Sequence, residues 1–458
     1  DAVLGRLVAK QVNQIGTQTR GDDADPEAGF EQTHALEREA IFQTADAISN
    51  HPGTPDERIV HVPTRVDGYY CGGGTEGNLM GTWIGREWLR QFRDTMDRGI
   101  AVLCTAATHY SVHKATALLD IGQSRASACP NCGEPHIFVA DPSGAGITLV
   151  GMTLKGEMDV GQGPYGPKQP GDADTTKRLP YGDLQRVFEL KYEEGFRRFI
   201  IVATVGTTVM GAVDPVRRIA EFIRTRVHRS ARAQCYLHVD ASIGGFTAPF
   251  VRSEDEIIAH PGRDFPSFGF DIPEVMSVTM DGDKMGRLPY PGGVFLCRKG
   301  LQQHITRDVP YISGHRDDTV SGSRTCVAPV LAWYNIRGGR QEQHEYVAAC
   351  MRTRALLRRK LSGQEFAGWV RLLPMSEYVN ILPAIIALDE QQGCIPETPL
   401  LEPYQLRSDL SPGDPSDPRS CPVKVYKFCL WPHVRSDDFK DFVRDLARAR
   451  NEWQRRRR

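Results

Sequence analysis

The chain has 458 residues, with 56 lysines and arginines against 57 aspartates and glutamates. That balance argues against nucleic acid or an anionic membrane as a partner. The longest apolar runs, such as residues 199–205, are strand-sized and far short of the roughly 20 residues that cross a bilayer.

Eleven cysteines without framework spacing point to a reducing, cytoplasmic setting. The opening Asp1-Ala2-Val3 shows no basic-then-apolar leader, so no secretory signal is expected. In chain order, residues 1–60 read as an N-terminal helical segment, with an amphipathic stretch at 35–48 that stops at His51-Pro52-Gly53. Residues 61–335 then alternate short apolar runs with helical patterns. Strands are expected at 199–204, 235–240, 275–280 and 293–297, with a helix at 215–227 that carries Pro near its start. Such alternation predicts an α/β large domain with a mostly parallel sheet and helices on both faces.

Within that region Cys129-Pro130-Asn131-Cys132 has the form of half a zinc knuckle. A structural zinc needs four ligands and no second C-x-x-C exists, so the pair reads as a turn and no metal is expected. Two stretches rich in Pro, Gly and Asp, residues 161–176 and 401–422, read as long irregular segments. Residues 336–458 form a smaller α+β C-terminal domain, preceded by a helix at 327–336. It opens on an Arg-rich helix at 341–361 and continues with strands at 370–373, 380–388 and 423–429. The closing Arg455–Arg458 run reads as a solvated helix end.

Five segments carry chemistry. Gly72-Gly73-Gly74-Thr75-Glu76-Gly77-Asn78 precedes a helical pattern, and glycines before a helix start let backbone N–H groups approach an anion. His109 stands at another helix start, as an ordinary half-buried residue or as a ring that stacks on a flat ligand. Thr204 and Thr208 close a buried strand with small hydroxyl residues. Asp240 puts a carboxylate at a strand end behind an apolar run, which is costly unless a cation or a backbone anchor meets it. Lys284 lies just past a strand among glycines, where desolvation would lower its pKa toward nucleophilicity. Thr204, Asp240 and Lys284 all fall at or beyond the carboxyl ends of predicted strands, where open α/β sheets bind ligands.

In this order the segments resemble the group II decarboxylases that depend on pyridoxal 5′-phosphate (PLP), enzymes of the aspartate-aminotransferase fold (PLP fold type I). The likeness is greatest to bacterial histidine decarboxylases and archaeal tyrosine/aspartate decarboxylases, with sphingosine-phosphate lyase more distant. It covers roughly residues 68–336 and includes Ser321-Gly322-Ser323-Arg324. The resemblance implies an L-amino-acid α-decarboxylase that releases CO2 and an amine, acting as a homodimer with its site at the subunit interface. Lys284 would hold PLP as a Schiff base, Asp240 would keep the pyridine nitrogen protonated, and His109 and Ala241 would cover the two ring faces. Gly74, Thr75 and Ser323 would hold the phosphate, with Ser323 from the neighbouring subunit. Glu76 lies in the same glycine motif, Thr204 and Thr208 would border ring and substrate, and Tyr311 would donate a proton to Cα.

Two features depart from the family. Relatives carry His immediately before the lysine, where it helps hold the cofactor; here that residue is Asp283, which would repel a phosphate unless Arg287 or Arg324 neutralises it. The connection at residues 123–176 is also longer than usual. Both motivate an alternative, a PLP-dependent carbon–carbon lyase or a decarboxylase-like enzyme of specialised metabolism. A non-catalytic relative of the fold is a third reading, opposed by the joint presence of Lys284, Asp240 and His109. The identity of the amino-acid substrate is not legible in these motifs.

Overall fold

The computed structural model describes residues 13–14, 19, 31–50, 59–92, 98–122, 125–128, 133, 135–139, 146–161, 180–259, 266–310, 316–336, 339–386, 401–404, 408–412, 421–434 and 436–457. Helix α1 (Glu31–Ser49) places Ala40, Ile41, Ala45 and Ile48 on its fully buried side. This face packs on strand β1 (Val66–Cys71) and on a helix late in the chain. Glu37 fastens the contact, accepting the backbone N–H of Tyr70 at 2.9 Å and pairing with Arg324 at 3.3 Å.

After β1 the chain runs through α2 (Gly74–Arg90), β2 (Ile100–Thr105), α3 (Tyr110–Leu118), β3 (Gly146–Val150), α4 (Gly182–Glu193) and β4 (Arg198–Thr204). It continues with α5 (Val216–Phe222), β5 (Gln234–Ala241), β6 (Val275–Asp281), the short α6 (Gly282–Met285) and β7 (Gly293–Arg298). These seven strands make one sheet in the order β1-β7-β6-β5-β4-β2-β3, parallel except for β7, which runs antiparallel to both its neighbours. The fold is therefore the α/β, aspartate-aminotransferase-like one expected. Strands β1, β2 and β4 are buried along their whole length, as the continuous apolar runs of a sheet covered on both faces require.

Register decides what meets at the sheet's carboxyl edge. Thr204 on β4 lies beside Asp240 on β5, and Asp240 beside Thr279 on β6. Helix α2 rests on this edge through a glycine stripe, Gly74, Gly77, Gly81 and Gly85, spaced three or four residues apart. A Cβ on Gly77 would fall 2.5 Å from Thr279, and one on Gly85 2.9 Å from Tyr236. Only glycines let the helix lie so close.

Past the sheet come α7 (Val327–Ile336), which is the partner of α1, and α8 (Gly339–Leu361). A four-stranded antiparallel sheet follows, formed by β8 (Val370–Leu372), β9 (Ile381–Ile386), β10 (Ser408–Pro412) and β11 (Pro422–Cys429) in the order β8-β9-β11-β10. Helix α9 (Ser436–Arg457) closes the described chain.

Three features differ from the sequence reading. The helix expected at 215–227 narrows to α5 and then widens into a π-helical stretch, Ile223–Ser230. Strand β10 lies inside the segment read as irregular: it is an edge strand, where prolines are tolerated, and Pro412 pairs with Pro422. The C-terminal helix is 22 residues long, not only an Arg-rich end. The Cys129–Cys132 motif and most of residues 161–176 lie outside the described residues. Among the described residues no helix is long and apolar enough to cross a membrane.

Candidate active site

A cavity of about 620 Å³ opens at the carboxyl ends of β4, β5 and β6, between the start of α2 and the start of α3. The chain enters α2 through Gly73, whose φ of 146° is open to glycine and strained for other residues. Glu76 steadies this turn, accepting the backbone N–H of Gly72 at 2.8 Å and the hydroxyl of Tyr69 at 3.1 Å. The carboxylate of Glu76 borders the cavity, and both its oxygens are engaged in holding the loop.

Asp240 is buried at the end of β5. One carboxylate oxygen accepts the hydroxyl of Ser242 at 2.6 Å and its backbone N–H at 3.1 Å; the other accepts the side-chain amide of Asn78 at 2.8 Å. Asn78, fully buried on α2, gives its second amide hydrogen to Ser111 at 2.9 Å and meets Nε2 of His238 at 2.9 Å through its oxygen. The ring of His238 reaches Ser277 at 2.7 Å with Nδ1. Burial pushes the imidazole of His238 down to about 4, against the pull of Asp240, so the ring is neutral near pH 7. With the Asn78 oxygen as acceptor, Nε2 carries the ring proton and Nδ1 accepts from Ser277.

The same network reaches His109, the N-cap residue of α3. Its Nδ1 accepts the backbone N–H of Ser111 at 3.4 Å and lies 2.7 Å from the Ser111 hydroxyl. An accepting Nδ1 leaves the ring proton on Nε2. Burial is the main cause that lowers the pKa of His109, and Lys284 lowers it further. A chain of buried hydrogen bonds thus ties a ring at the cavity wall to a carboxylate on its floor.

The other side of the cavity is charged. Nζ of Lys284 sits 2.6 Å from Asp281 Oδ2, three residues earlier, with 29% of the lysine side chain exposed. The amine is therefore held in an ion pair and not in the apolar, desolvating pocket expected: α6 begins at Gly282, and its first turn puts Asp281 and Lys284 on one side. Burial raises the carboxyl of Asp281, while Lys284 and the backbone N–H of Gly74 pull it down. Burial also pushes Asp283 up to about 6, with the charge of Asp281 as second cause. Lys284, a hydrogen bond from the exposed Tyr290 and the backbone of Asp283 itself pull it back down. Neither expected arginine is directed at it: Arg287 bonds Glu342 at 2.7 Å and the Asn335 carbonyl at 3.0 Å, and Arg324 pairs with Glu37.

Of the residues singled out in the sequence, Gly74, Thr75, Glu76, His109, Thr204, Thr208, Asp240, Asp283 and Lys284 all line this one cavity. Ala241 is fully buried behind it, next to Ser242, which does line it. Ser323 is exposed and off the cavity, although Val320 on the same segment borders it. Tyr311 lies outside the described residues. Sequence reasoning missed Asn78, Ser111, His238 and Asp281. The glycine spacing that lays α2 on the sheet was the one signal that could have pointed to Asn78.

The cavity suits a flat, anionic aldehyde cofactor. The glycine turn and the N–H groups at the start of α2 offer an anion cradle, Lys284 supplies an amine, and Asp240 supplies a carboxylate for a cationic ring nitrogen. The hydroxyl oxygen of Thr204 is buried at the wall with no partner, as expected of a group that meets a bound ligand.

Comparison with known proteins agrees. Residues 172–366 match the pyridoxal-dependent decarboxylase conserved domain. A tryptophan decarboxylase of Clostridium sporogenes is 27% identical over 72% of this chain and 61% of its own length. A histidine decarboxylase of Morganella morganii is 29% identical over 60% of this chain and 54% of its own. The chain thus spans less than two thirds of the length of either relative. Among solved structures, L-methionine decarboxylase from Streptomyces sp. 590 superposes with a TM-score of 0.68 at 20% identity, covering 98% of this chain and 88% of that one.

Proposed function

We propose that this chain, whose residues 172–366 match the pyridoxal-dependent decarboxylase conserved domain, is a group II PLP-dependent L-amino-acid α-decarboxylase that releases CO2 and the corresponding amine. The observation that carries this reading is the convergence of Lys284, Asp240 and His109 on one cavity from three separate elements. Lys284 would hold the aldehyde of PLP, Asp240 its ring nitrogen, His109 one of its faces, and Gly74 and Thr75 its phosphate; Ala241, expected at the other face, is buried behind the cavity wall. When bound, PLP supplies an electron sink for the pair released from the bond between Cα and the carboxylate.

The chain's own residues do the positioning. Asn78 and Ser242 fix the Asp240 carboxylate in place, so it would meet a cationic ring nitrogen without reorganising. Ser111 holds the His109 ring by Nδ1, leaving the Nε2 hydrogen as the donor for a substrate carboxylate or a water. Held in this way at the cavity wall, His109 would orient the carboxylate that is to leave. Tyr311 is the proposed proton donor to Cα.

The active unit is proposed to be a homodimer in the cytoplasm, with Ser323 reaching the phosphate of the neighbouring subunit's site; its exposure away from its own cavity supports this. Residues 1–60, 61–335 and 336–458 are proposed as N-terminal segment, large domain and small domain. The test is a panel of L-amino acids incubated with the chain and PLP, with CO2 and amine measured. One substrate should give both products in equal amounts, and Lys284→Ala should give neither. An aldehyde formed without CO2 would instead support a carbon–carbon lyase, the reading favoured by the carboxylates beside Lys284.

A further inference from the structure

We propose that the phosphate end of this cavity takes up its anion together with protons, because Asp281 already occupies the N–H groups at the start of α2 and Asp283 lines the same cavity. The inference rests on the reading of the cavity as a PLP site and concerns its electrostatics, whatever the substrate.

The first turn of α2 is the cradle that the phosphate needs, and a carboxylate is already there. A Cβ built on Gly74 would fall 3.1 and 3.2 Å from the two oxygens of Asp281. The N-terminus of a 17-residue helix attracts negative charge, so Asp281 competes with the incoming phosphate for the same N–H groups. Asp281 also holds Lys284 at 2.6 Å. When the amine leaves to meet the aldehyde, the carboxylate loses its counter-ion as a second anion arrives. Asp283 adds another carboxylate, close enough to Asp281 for their charges to repel and bonded by the exposed Tyr290.

The groups that face this pair do not offset the charge. Asp240 acts on Asp281 from β5, and the thiol of Cys71 on β1 and the ring of His109 sense Asp281 from the other walls. The exposed Tyr290 lies against Asp283. Lys284 is the cation acting on both carboxylates. Like charges this close cannot all stay ionised, and protonating a carboxyl is the available relief. Both carboxyls are already raised, chiefly by burial, with Asp283 at about 6. A nearby phosphate dianion moves them further in the same direction, so binding near neutral pH draws protons from solution. By linkage, each proton taken up weakens the affinity about tenfold for every unit the pH rises.

The test compares PLP with pyridoxal, the same aldehyde without phosphate. The full chain is titrated with each between about pH 6.5 and 8.5, where the phosphate is mostly dianionic. Visible absorbance reports occupancy, and the heats in two buffers of different ionisation enthalpy report protons. PLP should take up about one proton more than pyridoxal, with its affinity falling about tenfold per pH unit. Asp281→Asn and Asp283→Asn should each flatten that slope and raise the ratio of PLP affinity to pyridoxal affinity about tenfold at the alkaline end. If Asp281→Asn does not fold, Asp283→Asn carries the test alone. Equal proton uptake for the two aldehydes, or an unchanged slope in the variants while absorbance still forms, overturns the proposal and spares the PLP reading. No absorbance with either aldehyde overturns both.

Discussion

The two ends of the cavity are built on opposite principles. Around Asp240 the polar groups are matched: Asn78 spends both amide hydrogens and its oxygen on three partners, and neutral His238 and the Ser242 hydroxyl complete the set. Around Lys284 two carboxylates act on one amine, and the side chain that bonds Asp283 is the exposed Tyr290. The matched end is organised before any ligand arrives. The mismatched end keeps unrelieved charge until the ligand and its protons arrive. One cavity thus joins a rigid receptor for a ring to an electrostatically loaded receptor for an anion.

Lys284→Ala should have the largest effect. It removes the amine from the charged end and leaves Asp281 without its counter-ion. CO2 release should fall by at least about a thousandfold, and the borohydride-fixed cofactor adduct detected by mass spectrometry should vanish. Retention of the adduct would move the covalent site elsewhere.

Asn78→Ala attacks the matched end. It strips partners from Asp240, Ser111 and His238 at once. Leaving such groups buried and unpaired should cost about 2–3 kcal/mol of stability, measured by urea unfolding. A loss below about 0.5 kcal/mol would mean that water replaces the amide without penalty and that this end is not preorganised.

Asp283→Asn should act most weakly and in the opposite direction. A carboxyl raised to about 6 in the folded chain binds more protons there than in the unfolded chain between its ordinary value of 3.8 and 6. The contribution of Asp283 to stability therefore declines as pH rises through that window and stays low above it. The amide should gain about 1 kcal/mol at pH 7.5, a figure discounted for the half-exposed position of Asp283, and nothing at pH 4. A gain of the same size at both pH values would point to packing instead of charge.

Much of this arrangement was legible in the linear chain. Buried parallel strands write themselves as unbroken apolar runs, so β4 through β7 could be placed within a residue or two. A carboxylate or an amine at the end of such a run is conspicuous, which is how Asp240 and Lys284 stood out. Strand β10 was hidden because an edge strand keeps its prolines and loses the apolar signature.

What the chain order could not supply was the set of partners. Asn78 and Asp240 are 162 residues apart, and their bond exists because α2 lies on the carboxyl edge of β5 through its glycine stripe. The environment of Lys284 turned on a local matter of direction. The same run of residues allowed an apolar pocket or an ion pair, and the first turn of α6 chose Asp281 as the neighbour of the amine. Sequence by itself determined the elements and the residue types at their ends, because burial and helical period are local constraints. Tertiary structure alone decided which charges are matched and which are left facing one another, because that depends on strand order, register and the side on which each turn begins.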